Sequence, residues 1–396
     1  MNQPRPTAAR LRRQLAERLA EGGHVTSPGW RSAVDAVPRH AFLSTGVFRP
    51  VPGSAPTSYT PTLADEQSEA WLALCYADET LVTQIAGTVL PQDITGSIAR
   101  QPSSSSTLPS LMLDMLEALD VEDGHRVLEI GTGTGYNAAL LAHRVGAGNV
   151  TTVETDPDVA HRARSALHAC GHPATVIVGD GRFGCPERAP YDRVIATCGV
   201  SRVRPEWVAQ TRQGGVILTT VRGGLWSSGL AKLTVGENGT AEGVFVSEAS
   251  FMRARQEETS GSVMFPSPDE GNARATGLGP EIADDWTARF VIDSTLDGVN
   301  LFQAVSLQGE PPADYWFHEP SGSFAVVGGN PGDGWTVRQG GPVSLWDTVE
   351  RAIGAWRDAG SPSVTDFRVR ITSDRQEIFT EKAPNTRWGK PVERLA

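Results

Sequence analysis

Apolar and polar positions fall into three textures along the chain. Near the start, Leu11, Leu15 and Leu19 recur at helical spacing with Glu17 and Glu21 between them, which predicts an amphipathic helix with a solvated face. Beyond it, short helical patches alternate with Pro-rich turns as far as Arg100. From Gln101 to Arg255 strand and helix patterns alternate regularly. Arg126–Ile130 reads as a short apolar strand and Gly131–Gly135 as a glycine turn, and Ala138, Leu141, Ala142 and Val145 then share one helix face. Val150–Glu154, Thr175–Val178, Arg193–Thr197 and Val216–Val221 follow as strands. One helix carries Val159, Ala163, Leu167 and Cys170 and ends at Gly171, and another spans Trp207–Gln210. Such alternation predicts βαβ units and a parallel sheet covered by helices on both faces.

From Gln256 the texture turns polar and rich in Gly, Ser and Pro, which predicts a linker with a short ordered patch at Val263–Phe265. Beyond it lie six of the ten tryptophans. Ser344 and Asp347 resemble a capping box for a helix that buries Trp346, Val349, Ile353 and Trp356 and stops at Gly360. Strand-like runs Tyr315–His318, Phe324–Val327 and Phe367–Ile371 flank it. The expected organisation is a helical and substrate-loop region over 1–100, an α/β core over 101–255, a linker over 256–283 and a small α+β domain over 284–396.

Composition narrows the function. At 396 residues the chain is long enough for several cores, and a net charge of −11 repels phosphate backbones, which argues against nucleic acid. The four scattered cysteines form no CxxC pair, and no run reaches the length of a membrane span, so the expectation is a cytoplasmic protein without disulfides, zinc or membrane partner. His168, Cys170 and His172 imitate metal spacing, but Gly171 and Pro173 interrupt the helix that would have to present them. Asn238-Gly239 and Asp297-Gly298 read as turns.

The candidate chemistry centres on Glu129-Ile-Gly131-Thr132-Gly133-Thr-Gly135-Tyr136. It follows the first core strand, where parallel sheets hold nucleotide-like ligands. Read from Gly133, the turn also fits the dinucleotide fingerprint G-x-G-x-x-A. Glu154 ends the next strand, in position to accept from ribose hydroxyls in either case, and Asp180 in Gly179-Asp180-Gly181 can accept from an exocyclic amine or simply form a turn.

Taken together, VLEIGTGTGYNAALLA, VTTVETD, VGDGRFG, APYDRVIATCG and QGGVILTTV resemble, in order and spacing, the core of protein-L-isoaspartate O-methyltransferases. The likeness extends upstream to Val37-Pro-Arg-His-Ala-Phe-Leu43 and to Ser103–Pro109. It implies a class I S-adenosylmethionine-dependent methyltransferase fold, Rossmann-like with a mostly parallel sheet, a helical or irregular N-terminal region and a small α+β C-terminal domain. It further implies S-adenosylmethionine as cofactor and S-adenosylhomocysteine as product. The methionine part would lie against Glu129, Gly131 and Gly133, with Thr132, Gly135 and Tyr136 beside it. The ribose would lie on Glu154 next to Thr155, and the adenine near Asp180 and Gly181.

The substrate strap would be Ser105, Ser106, Thr107 and Leu108, with Thr107 or Ser106 orienting the carboxylate. The family usually has Ser where Thr107 stands, and Gln or Ala where Leu108 stands. The C-terminal extension and the insert Phe48–Ile98 resemble the branch that methylates an ordinary Asp of a ribosomally made, cyclised peptide (a lanthipeptide or graspetide) and leads to an aspartimide. General isoaspartyl repair is the alternative, followed by a small-molecule O- or N-methyltransferase and a non-catalytic cofactor-binding scaffold.

Overall fold

The computed structural model describes residues 7–65, 67–257, 265–267, 270–296, 298–304, 313–318, 320–330 and 334–391. Within these the chain forms two compact units. The first comprises residues up to Cys198, Glu206–Leu218 and Ala254–Gln256, and the second comprises Gly199–Pro205, Thr219–Arg253 and the residues from Glu257 onward. The chain passes into the second unit after Leu218, ahead of the boundary expected after Arg255, so the strands Ser228–Val235 and Ala241–Ser247, and Asn272–Thr276 within the expected linker, belong to the second unit.

The first unit opens with α1 (Ala8–Glu21) and α2 (Pro28–Ala36), followed by β1 (Val47–Pro50), β2 (Tyr59–Thr62), α3 (Glu69–Cys75), β3 (Leu81–Ile85) and β4 (Pro102–Ser106). These four strands form an antiparallel sheet in the order β2-β1-β3-β4, where a helical or irregular region was expected. Phe48, Val82 and Ile85 make its core. Short, Pro-interrupted strands leave little apolar alternation to read, which is why the sheet is invisible in the sequence.

After α4 (Pro109–Ala118) come β5 (Val127–Ile130), α5 (Tyr136–Val145), β6 (Val150–Glu154), α6 (Pro157–Ala169), β7 (Thr175–Val178), β8 (Tyr191–Val200), α7 (Pro205–Gln210) and β9 (Thr211–Arg222). β5 pairs in parallel with β6 on one side and β8 on the other, and β6 pairs in parallel with β7. Every residue of β5 and β6 is buried, as a sheet covered on both faces requires. Asp156 caps α6 by accepting from the Asp158 and Val159 N–H groups, with Pro157 at the first helical position. The order reverses at β5, because β6 and β7 lie to one side and β8 to the other, so the crevice at its carboxyl end is the ligand position of such sheets.

The second unit contains β10 (Ser228–Val235), β11 (Ala241–Ser247), β12 (Asn272–Thr276), α8 (Trp286–Thr295), β13 (Val299–Ala304), β14 (Ala313–His318), β15 (Ser323–Asn330), β16 (Gly334–Gly340), α9 (Leu345–Asp358), β17 (Phe367–Ile371), β18 (Arg375–Thr380) and β19 (Arg387–Pro391). One antiparallel ladder runs β10-β11-β17-β18-β19, turning at Asn238 and Gly239, which both have positive φ. The other runs β12-β16-β15-β14-β13.

Buried tryptophans hold this unit together. The Trp316 and Trp346 rings meet edge to face at 5.4 Å, and Trp346 Nε1 donates to Thr276 Oγ1 at 2.9 Å. The helix over Leu345–Asp358 forms as expected, but Ser344 makes no side-chain cap and Asp347 instead accepts from Arg274 and Gln339. Of the ordered patch expected at 263–265, residues 263 and 264 lie outside the described residues, as does Asp297 of the second expected turn.

Candidate active site

The glycine turn bends through three left-handed positions, Gly131 (φ 92°), Gly133 (φ 53°) and Gly135 (φ 90°). A side chain on Gly135 would press to 3.2 Å from the Ala163 Cβ, so α5 can start this close to α6 only from a glycine. Most of the turn's donors are spent inside the protein. Gly131 and Thr132 N–H both donate to the Val153 carbonyl, Gly133 N–H donates to Glu154 Oε2 at 2.9 Å, and Gly135 N–H donates to the Thr132 carbonyl.

This distribution separates the two ligands left open by the sequence. A pyrophosphate is held by free N–H groups and repelled by a carboxylate, whereas here four N–H groups are engaged and Glu154 touches the turn. A ligand without a pyrophosphate needs no free N–H groups from the turn, and Glu154 can accept from its ribose. Among the described residues the Glu154 carboxylate, nearly buried, takes the N–H groups of Gly133 and Asp156, so lone pairs remain. Burial raises its pKa, and those two hydrogen bonds oppose the shift. The residues at the turn therefore fit S-adenosylmethionine.

Other expected contacts are corrected. Glu129 is fully buried behind the turn, accepting from Asn137 Nδ2 and Thr152 Oγ1 at 2.6 Å each. It ties α5 to β6 and is closed to a ligand. Burial pushes its pKa up to about 7 despite those two donors. The Thr132 hydroxyl pairs with the Thr152 hydroxyl at 2.6 Å, and the Tyr136 ring is buried against Phe42, so neither side chain faces the crevice. Asp180 accepts the Arg182 N–H and the Arg182 guanidinium at 2.7–3.2 Å and stays part-exposed.

Gly181 stands where a Cβ would lie 2.6 Å from Ile130 Cγ2, so the loop after β7 reaches the end of β5 only as glycine. Its carbonyl accepts from Trp207 Nε1. The Thr155 hydroxyl accepts from the Gln256 side chain at 2.5 Å.

The serine run is a strand, and its period of two sorts the hydroxyls. Ser104 and Ser106 are buried, while Ser103, Ser105 and Thr107 are part-exposed. Ser106 is corrected as a candidate for the substrate carboxylate, because its Oγ accepts from Arg39 Nε at 3.2 Å in the interior. Thr107 stays accessible, and Leu108 precedes the α4 start, its N–H donating to Thr80 Oγ1. A recess beside the turn is walled by Phe42, Thr83, Ser104, Gly133 and Arg162 among others, but by neither Glu154 nor Asp180, so it is not the carboxylate-lined crevice.

Arg39 went unrecognised as a functional residue beyond its place in the Val37–Leu43 resemblance. It is wholly buried, and its guanidinium donates to the carbonyls of Cys75, Ala77, Glu79, Ser106 and Thr107 at 2.9–3.2 Å. Burial lowers its pKa. It fixes the carbonyl of the very residue expected to meet the substrate. Arg255 ties in the other end of the strap, donating to the Ser103 carbonyl and to Asp156 Oδ2. Thr197 is a further unforeseen member, its hydroxyl donating to the Gly131 carbonyl at 2.6 Å.

A doubly wound sheet with this turn and acid defines the class I methyltransferase fold. Residues 82–252 match the family described as protein-L-isoaspartate(D-aspartate) O-methyltransferase. A protein-L-isoaspartate O-methyltransferase of Methanopyrus kandleri is 33% identical over 215 residues, 54% of this chain and 77% of its own length. One from Hyperthermus butylicus is 31% identical over 220 residues, 53% and 74% of the two chains. The chain belongs to the protein-L-isoaspartate O-methyltransferase family. A relative from Ignicoccus hospitalis is 44% identical over 115 residues, and there, as for Staphylothermus marinus, the chain spans about half of the relative's length (54% and 51%).

A solved structure titled protein-L-isoaspartate O-methyltransferase superposes with a TM-score of 0.54 at 22% identity, covering 93% of this chain and 99% of its own. The fold of the second unit is therefore not peculiar to this chain. Among the described residues no helix is long and apolar enough to cross a membrane, and no three metal-ligating side chains gather.

Proposed function

We propose that the chain transfers a methyl group from S-adenosylmethionine to the free carboxylate of an isoaspartyl residue in a peptide or protein. The observation that carries this reading is the meeting of the strap with the glycine turn, where a Cβ on Gly133 would lie 3.5 Å from the Ser105 carbonyl oxygen. The two segments assigned to substrate and cofactor are thus neighbours. Glu154 would hold the ribose, and the carbonyls of the turn would accept from the ammonium group. When bound, the cofactor supplies an electrophilic methyl on a cationic sulfur.

The rest falls to the chain's own residues. A carboxylate with an ordinary pKa of ~4 is ionised at neutral pH, so no general base is needed. Alignment and partial desolvation are needed instead. The Thr107 hydroxyl can orient the carboxylate with one hydrogen bond, while Arg39 holds the Thr107 backbone from behind. A lysine or arginine contacting the nucleophile directly would stabilise its ground state.

The narrower reading, methylation of an ordinary Asp in a cyclised precursor peptide, draws on the departure at Thr107-Leu108. The second unit no longer supports it, since a solved family structure spans nearly the whole chain. Radiolabelled methyl transfer to a linear isoaspartyl peptide, its normal Asp counterpart and a cyclised Asp peptide tests both. Esterification of the isoaspartyl peptide alone is the expected result, esterification of the cyclised peptide alone favours the narrower reading, and labelling of none overturns both.

A further inference from the structure

In the second unit, two arginines lie together without an acidic partner. Arg222 is almost fully buried and Arg253 is part-buried. Among the described residues neither forms an ion pair, and the Nε of each is buried without a hydrogen-bond partner. Arg222 donates only to the Phe251 carbonyl, and Gly199 comes so close that a Cβ there would lie 2.9 Å from its Cδ.

Among the described residues the carboxylate acting on Arg222 is that of Asp293, and it is turned to another task. Asp293 is buried and accepts from the Leu225 N–H at 3.1 Å and from Ser227 Oγ at 3.5 Å, anchoring the turn 223–227. Burial raises its pKa to about 7, and Lys390 and Arg253 oppose the shift. Burial, with the neighbouring Arg253 adding to it and Asp293 opposing it, pulls Arg222 down to about 10.

The same turn displays an aromatic ring. Trp226 is 60% exposed and sits at φ 62°, a left-handed position unfavourable for a bulky residue, with the Arg222 guanidinium 4.6 Å from its ring centre. Two guanidinium groups with unpartnered Nε donors, one of them beneath an exposed indole, suit a planar anion, which arginine grips through paired N–H donors.

We propose that Arg222, Arg253 and Trp226 form a binding site for a peptide carboxylate, supplied by an acidic residue of the substrate. This rests on the peptide methyltransferase reading only for the source of the carboxylate. A carboxylate held by two guanidinium groups is a poor nucleophile, so the group bound here is one that is not methylated.

Calorimetric titration of the full chain with an oligoglutamate peptide and with its oligoglutamine counterpart tests the site, with inorganic phosphate as competitor. The expected result is saturable binding of oligoglutamate only, weakened about tenfold by Arg253→Gln and by the surface variant Trp226→Ala, with S-adenosylhomocysteine affinity unchanged in both. Equal binding of the two peptides, or binding that survives both substitutions, overturns the proposal. Displacement by phosphate more readily than by free glutamate overturns the carboxylate assignment in favour of a phosphate ligand. The readout is binding, so a failure of methyl transfer on every peptide is a separate result.

Discussion

Ser105 and Gly133 approach backbone to backbone, with room for only an ordinary van der Waals contact between the Ser105 carbonyl oxygen and a side-chain carbon at Gly133. β4 thus runs beside the glycine turn. Because strand residues alternate, it also places Thr107 on the same side as Ser105, while Ser104 and Ser106 turn inward.

Thr107→Val keeps the shape of the strap and removes its hydroxyl. Turnover on an isoaspartyl peptide is expected to fall roughly tenfold or more, the worth of a hydrogen bond to a charged group, while S-adenosylhomocysteine affinity holds. Steady-state kinetics beside calorimetry checks this, and unchanged turnover removes Thr107 from the mechanism.

Arg39→Met strips the donor from five carbonyls, two of them in buried bonds, and from Ser106 Oγ. A loss of about 3–5 kcal/mol is expected, with Arg39→Lys losing less because three donors remain. Urea unfolding of the variants measures it. A loss below about 1 kcal/mol for Arg39→Met would show that the strap does not depend on this side chain.

Glu129 gives the fold a pH dependence of definite sign. Its native pKa of about 7 lies above the unfolded value of 4.5, so the folded chain binds more protons between those limits and stability from this group falls as pH rises through the window. Glu129→Gln removes the penalty, since a reversible Thr152–Thr132 hydroxyl pair can accept the amide donor. The variant is expected to gain on the parent by about 3 kcal/mol between pH 4.5 and pH 8. Denaturant midpoints that run parallel for parent and variant across that range would refute it.

Glu154→Gln sets an amide donor against one of two backbone donors, the N–H groups of Gly133 and Asp156. The turn should loosen where it meets the ribose, weakening S-adenosylhomocysteine about tenfold by calorimetry. Undiminished affinity would place the ribose elsewhere.

The sequence by itself determined the βαβ core, the glycine turn, Glu154 at the end of its strand and the family, because apolar period and glycine position are local properties of the chain. It also determined α9 through its Trp346, Val349, Ile353 and Trp356 face. Only the tertiary structure decided which polar groups face the crevice. The Glu129 carboxylate and the Thr132 hydroxyl look like ligand contacts in one dimension, yet in three they are buried against Asn137 and Thr152. The four-stranded sheet over residues 47–106 and the boundary at Leu218 were equally hidden. A polar run carries no hydrophobic period, and a buried charge such as Arg39 is explained only by carbonyls brought from as far as 68 residues away.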